Sequence, residues 1–164
     1  MKILKLCTVL LVILTLAAVG FVFVQFQNAK VEVTGVASHG RSAAEDAAGF
    51  AELTESVRQG RFLGTVFRTP ETWQNASEYA LITYSVTLKN TCFLPIERIE
   101  LQLSPKADDL LQLGTNDVIS LNPNEERTVE MRVLANSGSN TVRNIKLSWY
   151  LWGKPYFLDV ACGG

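Results

Sequence analysis

The sequence lacks the residue combinations on which most enzymes and metal sites depend. It has one histidine, His39, and three cysteines that form no C-x-x-C pair. It has no G-x-S-x-G motif and no glycine-rich phosphate loop, so acyl transfer and nucleotide chemistry lack their usual groups. The cysteine spacing also excludes a disulfide-dense scaffold and a zinc site. We therefore expect no enzymatic activity, no metal and no cofactor; a hydrolase using paired carboxylates stays open as an alternative.

Charge is absent from one long segment near the N-terminus. No charged residue occurs across the 19 positions from Leu6 to Val24. As a helix this run is about 28 Å long, close to the hydrocarbon thickness of a bilayer. It predicts a transmembrane signal-anchor helix over residues 1–27 that binds the lipid bilayer. A cleaved secretory signal is the alternative, because Ala18-Val19-Gly20 offers a small-x-small site, but the apolar run continues beyond it.

The charges that flank this run predict its orientation. Lys2 and Lys5 precede it, whereas residues 25–29 are uncharged. By the positive-inside tendency, the N-terminus stays in the cytoplasm and the rest becomes the extracytoplasmic part of a single-pass cell-membrane protein, although Lys30 weakens the bias. Residues 31–164 carry 12 basic and 16 acidic side chains without a basic run, so nucleic acid is a poor partner.

Residues 28–60 are interpreted as a linker that contains one amphipathic helix. The stretch 31–36 resembles a strand, and a polar break at 38–41 places His39 in solvent. Ser42-Ala43-Ala44-Glu45 is a capping box, which opens a helix over about 43–59. The larger apolar residues that recur at helical spacing in it are Phe50, Leu53 and Val57.

After Gly60 the apolar pattern changes from helical spacing to strict alternation. Short alternating segments are separated by turns rich in Pro, Asn and Gly. The prediction is a mainly β domain over 61–164, an antiparallel sandwich of about seven strands. One weak strand is expected within 110–121. In the final hairpin, Gly153-Lys154 is taken as a type II′ turn, which sets Trp149 opposite Leu158.

Part of this domain resembles bacterial immunoglobulin-like and CARDB-like adhesion modules. Tyr84-Ser85-Val86-Thr87-Leu88-Lys89-Asn90, a turn, and the segment from Ile96 to Leu103 look like their paired strands. Residues 119–133 look like their segment of a small turn, polar residues and an alternating strand. The resemblance covers about residues 80–162. It implies an immunoglobulin-like sandwich and an extracellular interaction role, and it brings no catalytic residues.

Alternating strand directions also predict what lies at each end of the domain. Cys92 and Cys162 should fall at opposite ends, on the order of 23 Å apart, so a disulfide between them is disfavoured. The loops 70–78, 104–109 and 136–140 should meet at the end away from the anchor.

Two surfaces are candidates for an interaction site. Trp73, in a loop, either stacks on a sugar or partner or tucks against its own domain. Tyr150, Trp152 and Phe157 form an apolar patch on the outer face of the final hairpin. Either the 43–59 helix covers this patch or a protein partner binds it.

The acidic loops do not match a calcium site, because their spacing fits no calcium-loop pattern. The residues concerned are Asp108, Asp109, Asn116 and Asp117; we expect a solvated acidic loop.

The leading hypothesis is a membrane-anchored, non-catalytic β-sandwich that binds a protein as a scaffold or accessory subunit. The alternative is a surface adhesion or carbohydrate-binding domain that uses Trp73.

Overall fold

The protein consists of a long N-terminal helix followed by two β-sheets. A computed structural model describes residues 2–27, 30–114 and 118–163. The helices are α1 (Lys2–Gln27) and α2 (Ala47–Arg58), and short 3-10 helices lie at Ala43–Asp46, Pro70–Thr72 and Ala76–Glu78. The strands are β1 (Val31–Ser42), β2 (Gly64–Val66), β3 (Tyr79–Asn90), β4 (Ile96–Leu103), β5 (Asp109–Leu113), β6 (Ile119–Leu121), β7 (Glu126–Asn136), β8 (Arg143–Leu151) and β9 (Lys154–Cys162).

Helix α1 contains the uncharged run. No proline interrupts its backbone hydrogen bonds, and its segment Lys5–Gln25 has a mean hydropathy of 2.8 with none of it buried by the rest of the protein. These 21 residues extend about 32 Å, enough to cross a hydrocarbon layer of about 30 Å. The predicted N-terminal helix is therefore confirmed as long and apolar enough to span a membrane.

Strand β1 is longer than the sequence pattern indicates. The predicted polar break at 38–41 is wrong, because the strand runs without interruption from Val31 to Ser42 and pairs antiparallel with β3. β1 is an edge strand, so its polar side chains stay in water while its backbone joins the sheet. His39 is exposed as predicted, but it lies opposite Thr83 in a strand rather than in a linker.

The strands form two antiparallel sheets. One has the order β1-β3-β7-β5-β2, and the other has the order β6-β4-β8-β9. The prediction of a mainly β, antiparallel domain is confirmed. The predicted number of strands is not confirmed, since the described residues contain nine strands rather than about seven. β1 adds one, and the single strand predicted within 110–121 divides into β5, which pairs with β7, and β6, which pairs with β4.

The inner faces of the two sheets enclose the main hydrophobic core. Every second side chain of β3 is buried from Ile82 to Leu88, as its alternation predicts. The core residues of the neighbouring β7 and of the opposite β8 are Val129, Met131, Val133, Ala135, Ile145, Leu147, Trp149 and Leu151. Because both sheets contribute apolar faces to this core, burial of the shared surface holds them together.

Helix α2 packs on the outer face of the five-stranded sheet. The predicted capping box is present, with Ser42 accepting from the Ala44 amide and Glu45 accepting from the Ser42 amide. It opens the 3-10 turn Ala43–Asp46, and a second cap then starts α2, as the Asp46 carboxylate accepts from the Gly49 amide at 2.9 Å. The apolar side of α2 joins a second buried cluster, whose central members are Ala43, Tyr79, Leu110, Leu111 and Leu134.

The final hairpin differs from its predicted register by two residues. Its turn is Trp152-Gly153, with φ of 49° and 75°, and positive φ at both positions is what a type I′ turn requires. Trp149 therefore lies opposite Tyr156 rather than Leu158. Because a shift of two preserves the alternation, the side chains remain on the predicted faces.

Candidate functional site

The strand ends define two poles, a near pole beside α1 and a far pole away from it. At the far pole, the three loops predicted to meet are joined by hydrogen bonds. The Ser137 amide donates to the Glu78 carbonyl at 2.7 Å, and the Asn136 amide donates to the Asp108 carbonyl at 3.0 Å. These bonds connect the loops before β3, before β5 and after β7, so the predicted far-pole cluster is confirmed.

A buried ion pair lies beneath the far-pole loops. The Arg143 guanidinium donates to both carboxylate oxygens of Asp109, at 2.5 and 3.1 Å, and both side chains are fully buried. The Lys106 amide also donates to this carboxylate at 2.7 Å. Asp109 is therefore not part of a solvated acidic loop, and that prediction is wrong for it. Asp108 is exposed, whereas the prediction for Asn116 and Asp117 lies outside the described residues.

Tyr84 extends this buried network. Its hydroxyl donates to the Thr141 carbonyl at 3.0 Å and accepts from Arg143 Nε at 3.3 Å. Burial raises the pKa of the Tyr84 phenol, and the nearby guanidinium only partly offsets that rise. Every polar group in the network has a partner, which is typical of a structural cluster and gives no free base or nucleophile.

Trp73 packs against its own domain. Its indole nitrogen donates to the Arg68 carbonyl at 3.1 Å. Its ring lies 6.1 Å from that of Phe50 on α2, and Phe50 in turn stacks on Tyr79 at 5.8 Å. The indole is half-buried in the second cluster, so part of its surface is already covered by its own domain.

The three residues of the predicted hairpin patch differ in their exposure and in their contacts. Tyr150 is half-buried with the Arg98 guanidinium 5.7 Å from its ring centre. Phe157 is 61% exposed on β9, with the Lys146 ammonium 5.0 Å from its ring. Trp152 is 63% exposed in the turn. The expectation that the 43–59 helix covers these residues is wrong, because α2 lies on the other sheet.

The near pole is organised by one buried amide. Asn90 is fully buried; its amide group donates to the carbonyls of Leu94 at 2.9 Å and Leu121 at 3.0 Å. Its side-chain oxygen accepts from the Cys92 amide at 2.9 Å. Because both donors and the acceptor are satisfied, the 91–95 turn is fixed against the end of β6.

The 91–95 turn also contacts α1 and the start of β1. Thr91 Oγ1 donates to the Lys30 carbonyl at 2.7 Å. The Phe93 ring lies 5.5 Å from that of Phe21 on α1. The β8–β9 turn is at the same pole, because Tyr150 pairs with Glu97 directly after the 91–95 turn. Exposed Phe93 and Trp152 therefore share the near pole.

Cys92 and Cys162 are buried and unbonded. Cys92 Sγ lies 3.6 Å from the Lys30 carbonyl, and Cys162 Sγ lies 3.3 Å from the Ala37 carbonyl. These two carbonyls are seven residues apart on one extended segment, so the two thiols are well separated, as predicted. Burial raises the pKa of both thiols.

Within the described ranges, no three His, Cys, Asp or Glu side chains come together as a metal site.

The sequence matches no protein-family model, and no curated protein is significantly similar to it.

The near-pole arrangement of Asn90, Phe93 and Trp152 was not predicted from the sequence. Phe93 is an isolated aromatic residue in a turn, and only the contact with α1 distinguishes it from any other exposed apolar side chain.

Proposed function

We propose that this protein is a membrane-tethered, immunoglobulin-like module, similar to CARDB-like adhesion domains, that acts by binding another protein on the extracytoplasmic side. α1 serves as an uncleaved anchor in the cell membrane, with Lys2 and Lys5 on the cytoplasmic side. The two face-to-face antiparallel sheets and the alternation in β3 and β7 support the immunoglobulin-like assignment.

The observation that carries the binding role is the exposed aromatic side chain on the edge strand of the four-stranded sheet. β9 is an edge strand, and its end at Cys162 contacts β1 at the Ala37 carbonyl. Phe157 projects from this edge with 61% of its surface exposed. An exposed aromatic side chain on an open strand edge is suited to protein recognition, because a partner gains apolar contact and backbone hydrogen bonds together.

The same geometry favours binding over the alternatives. A carbohydrate-binding role for Trp73 loses support because α2 and the Arg68 carbonyl already occupy that indole. A carboxylate-dependent hydrolase loses support from Asp109, whose charge is neutralised by a buried arginine. The proposed role is therefore that of a scaffold or accessory subunit.

Site-specific photo-crosslinking tests this function in the cell that produces the protein. A photoreactive amino acid at Phe157 should give one crosslinked species of defined mass at a stoichiometric yield. The matched control replaces Thr128, which is exposed on β7 of the opposite sheet, and should give none. Equal labelling from both positions, or from neither, would contradict the proposed interface.

A further inference from the structure

We infer that the near pole of the domain rests on the bilayer surface, with Phe93 and Trp152 inserted among the lipid headgroups. The domain is then seated on the membrane rather than suspended above it. This inference rests on the proposed anchorage by α1 and adds a second contact with the same membrane. The ligand is the lipid interface itself, and no headgroup charge is required.

The position of Phe93 relative to the membrane follows from its contact with Phe21 on α1. Phe21 lies four residues before the end of the apolar segment at Gln25, which is about 6 Å along the helix axis. The Phe93 ring centroid, 5.5 Å from that of Phe21, therefore lies beside the C-terminal part of the membrane-spanning segment. Phe93 is 45% exposed beyond this contact, so the rest of its ring faces whatever surrounds α1 at that level.

The covalent connection keeps the pole at this level. β1 begins at Val31, four Cα–Cα steps after the last residue of α1, Gln27, and four steps reach at most about 14 Å. The hydrogen bond from Thr91 to the Lys30 carbonyl fixes the 91–95 turn to this connection. A folded protein partner about 20–30 Å thick does not fit between such a pole and the bilayer.

Trp152 adds the second contact point. It occupies a type I′ turn at the same pole with φ of 49°, a conformation that Asn or Gly adopts with less strain than a bulky side chain. Trp152 is 63% exposed as a residue, and Lys154 follows two residues later. An exposed tryptophan beside a lysine is the combination that membrane proteins place at the headgroup level.

Fluorescence quenching by lipid measures this contact in the full chain. The protein is reconstituted in phosphatidylcholine vesicles with or without lipid brominated on the upper acyl chain. Trp73→Phe with Trp149→Phe leaves Trp152 as the one reporter. The matched control adds Trp152→Phe and Ser137→Trp, which moves the reporter to an exposed position at the far pole.

We expect several-fold stronger quenching at Trp152 than at the Ser137→Trp reporter. Equal quenching at the two positions would overturn the docking, provided that the protein stays with the vesicles after an alkaline carbonate wash. Release of the full chain by that wash would overturn the anchorage and the docking together. The two failures are therefore distinguishable.

A second measurement covers the case in which Trp149→Phe does not fold, since Trp149 is a core residue. The unmodified sequence labelled with 5-fluorotryptophan gives three fluorine resonances, and Trp152→Phe alone identifies the one from the turn. A headgroup spin label in the vesicles should broaden that resonance more than the other two. Uniform broadening would overturn the inference.

Discussion

Arg143 of β8 and Asp109 of β5 connect the two sheets through a pair of fully buried charges. The guanidinium meets both carboxylate oxygens, and this parallel geometry is the strongest form of the contact. Desolvation of two charges offsets most of the attraction, so the intact pair contributes little net stability. It joins the first residue of β5 to the first residue of β8 at the far pole.

Removal of one partner of this pair should be severely destabilising. Arg143→Met leaves the Asp109 carboxylate buried without its counter-charge, and we expect a loss of about 3–5 kcal/mol in unfolding free energy. The measurement is urea denaturation of the full chain in mild detergent, followed by tryptophan fluorescence.

Two further variants control this prediction. Arg143→Met with Asp109→Leu removes both charges and should recover a large part of the loss. Arg58 and Glu55 form an exposed ion pair with a nitrogen–oxygen distance of 4.0 Å. Arg58→Met removes this pair and should change the unfolding free energy by less than about 0.5 kcal/mol. Additive losses in the double variant would show that the two residues do not act as a pair.

Two phenylalanines should differ in their contribution to stability. Phe50→Ala removes the ring that α2 places against Trp73 and Tyr79, and the expected loss is about 2–3 kcal/mol because the ring is half-buried. Phe157→Ala makes the same chemical change at a largely exposed ring and should leave stability within about 0.5 kcal/mol.

Thermal or urea unfolding of the two variants measures the difference. With the photoreactive residue moved to Asp159, which is exposed on the same face of β9, loss of the crosslink in Phe157→Ala without a stability change would support the role of Phe157 in binding. Similar destabilisation by both substitutions would contradict the placement of α2 on the five-stranded sheet.

Replacement of the turn glycine Gly153 by alanine should destabilise the protein because of its backbone conformation alone. Gly153 has φ of +75° and nothing within 4 Å of an added Cβ. Gly153→Ala therefore loses about 1–2 kcal/mol through the left-handed conformation rather than through a clash. In Gly40→Ala the new Cβ meets only Ile82 Cγ1 at 3.9 Å, so stability should be unchanged or slightly higher. Equal losses in urea denaturation would refute the type I′ turn.

Stability should decline in alkali because of the buried thiols. Burial raises the pKa of Cys92 and Cys162 above the ordinary value of 9.0, so the unfolded chain releases these protons first. The stability that these two protonated thiols contribute is fully present below pH 9.0. It is lost as the pH rises through the higher pKa values that the thiols have in the folded state. Tyr84, raised from 10.0, adds a later loss of the same sign.

Urea midpoints measured across the alkaline range test this dependence. Cys92→Ala with Cys162→Ala should weaken the decline that begins near pH 9.0 and leave the later loss from Tyr84. The matched control is Cys7→Ala, because Cys7 is exposed on α1, and it should keep the full decline. An unchanged profile in the double variant would refute the assignment.

Several features were predictable because they depend on residues that are close in the chain. The uncharged run predicted α1, the capping box at Ser42 predicted where the helical segment begins, and alternation predicted the buried faces of β3 and β7. The far-pole cluster followed from strand direction alone. In the final hairpin the faces were right and the register was wrong, because alternation fixes a face but not which of two turns closes the hairpin.

Other features were decided by contacts between distant residues. Polar residues at 38–41 are compatible with a loop or with an edge strand, and only pairing with β3 selects the strand. The apolar stripe of α2 fits either sheet, and the space beside Tyr79 and Trp73 selects one. Asp109 reads as a solvated acid until Arg143, 34 residues later, is brought to it.

The sequence by itself determined the apolar membrane-length helix, the start of the second helical segment and the buried faces of the alternating strands, since those properties arise from neighbouring residues. Only the tertiary structure decided which charges are buried together, which aromatic rings remain uncovered and which turn faces α1. Those outcomes depend on the approach of side chains far apart in the chain, which local patterns do not encode.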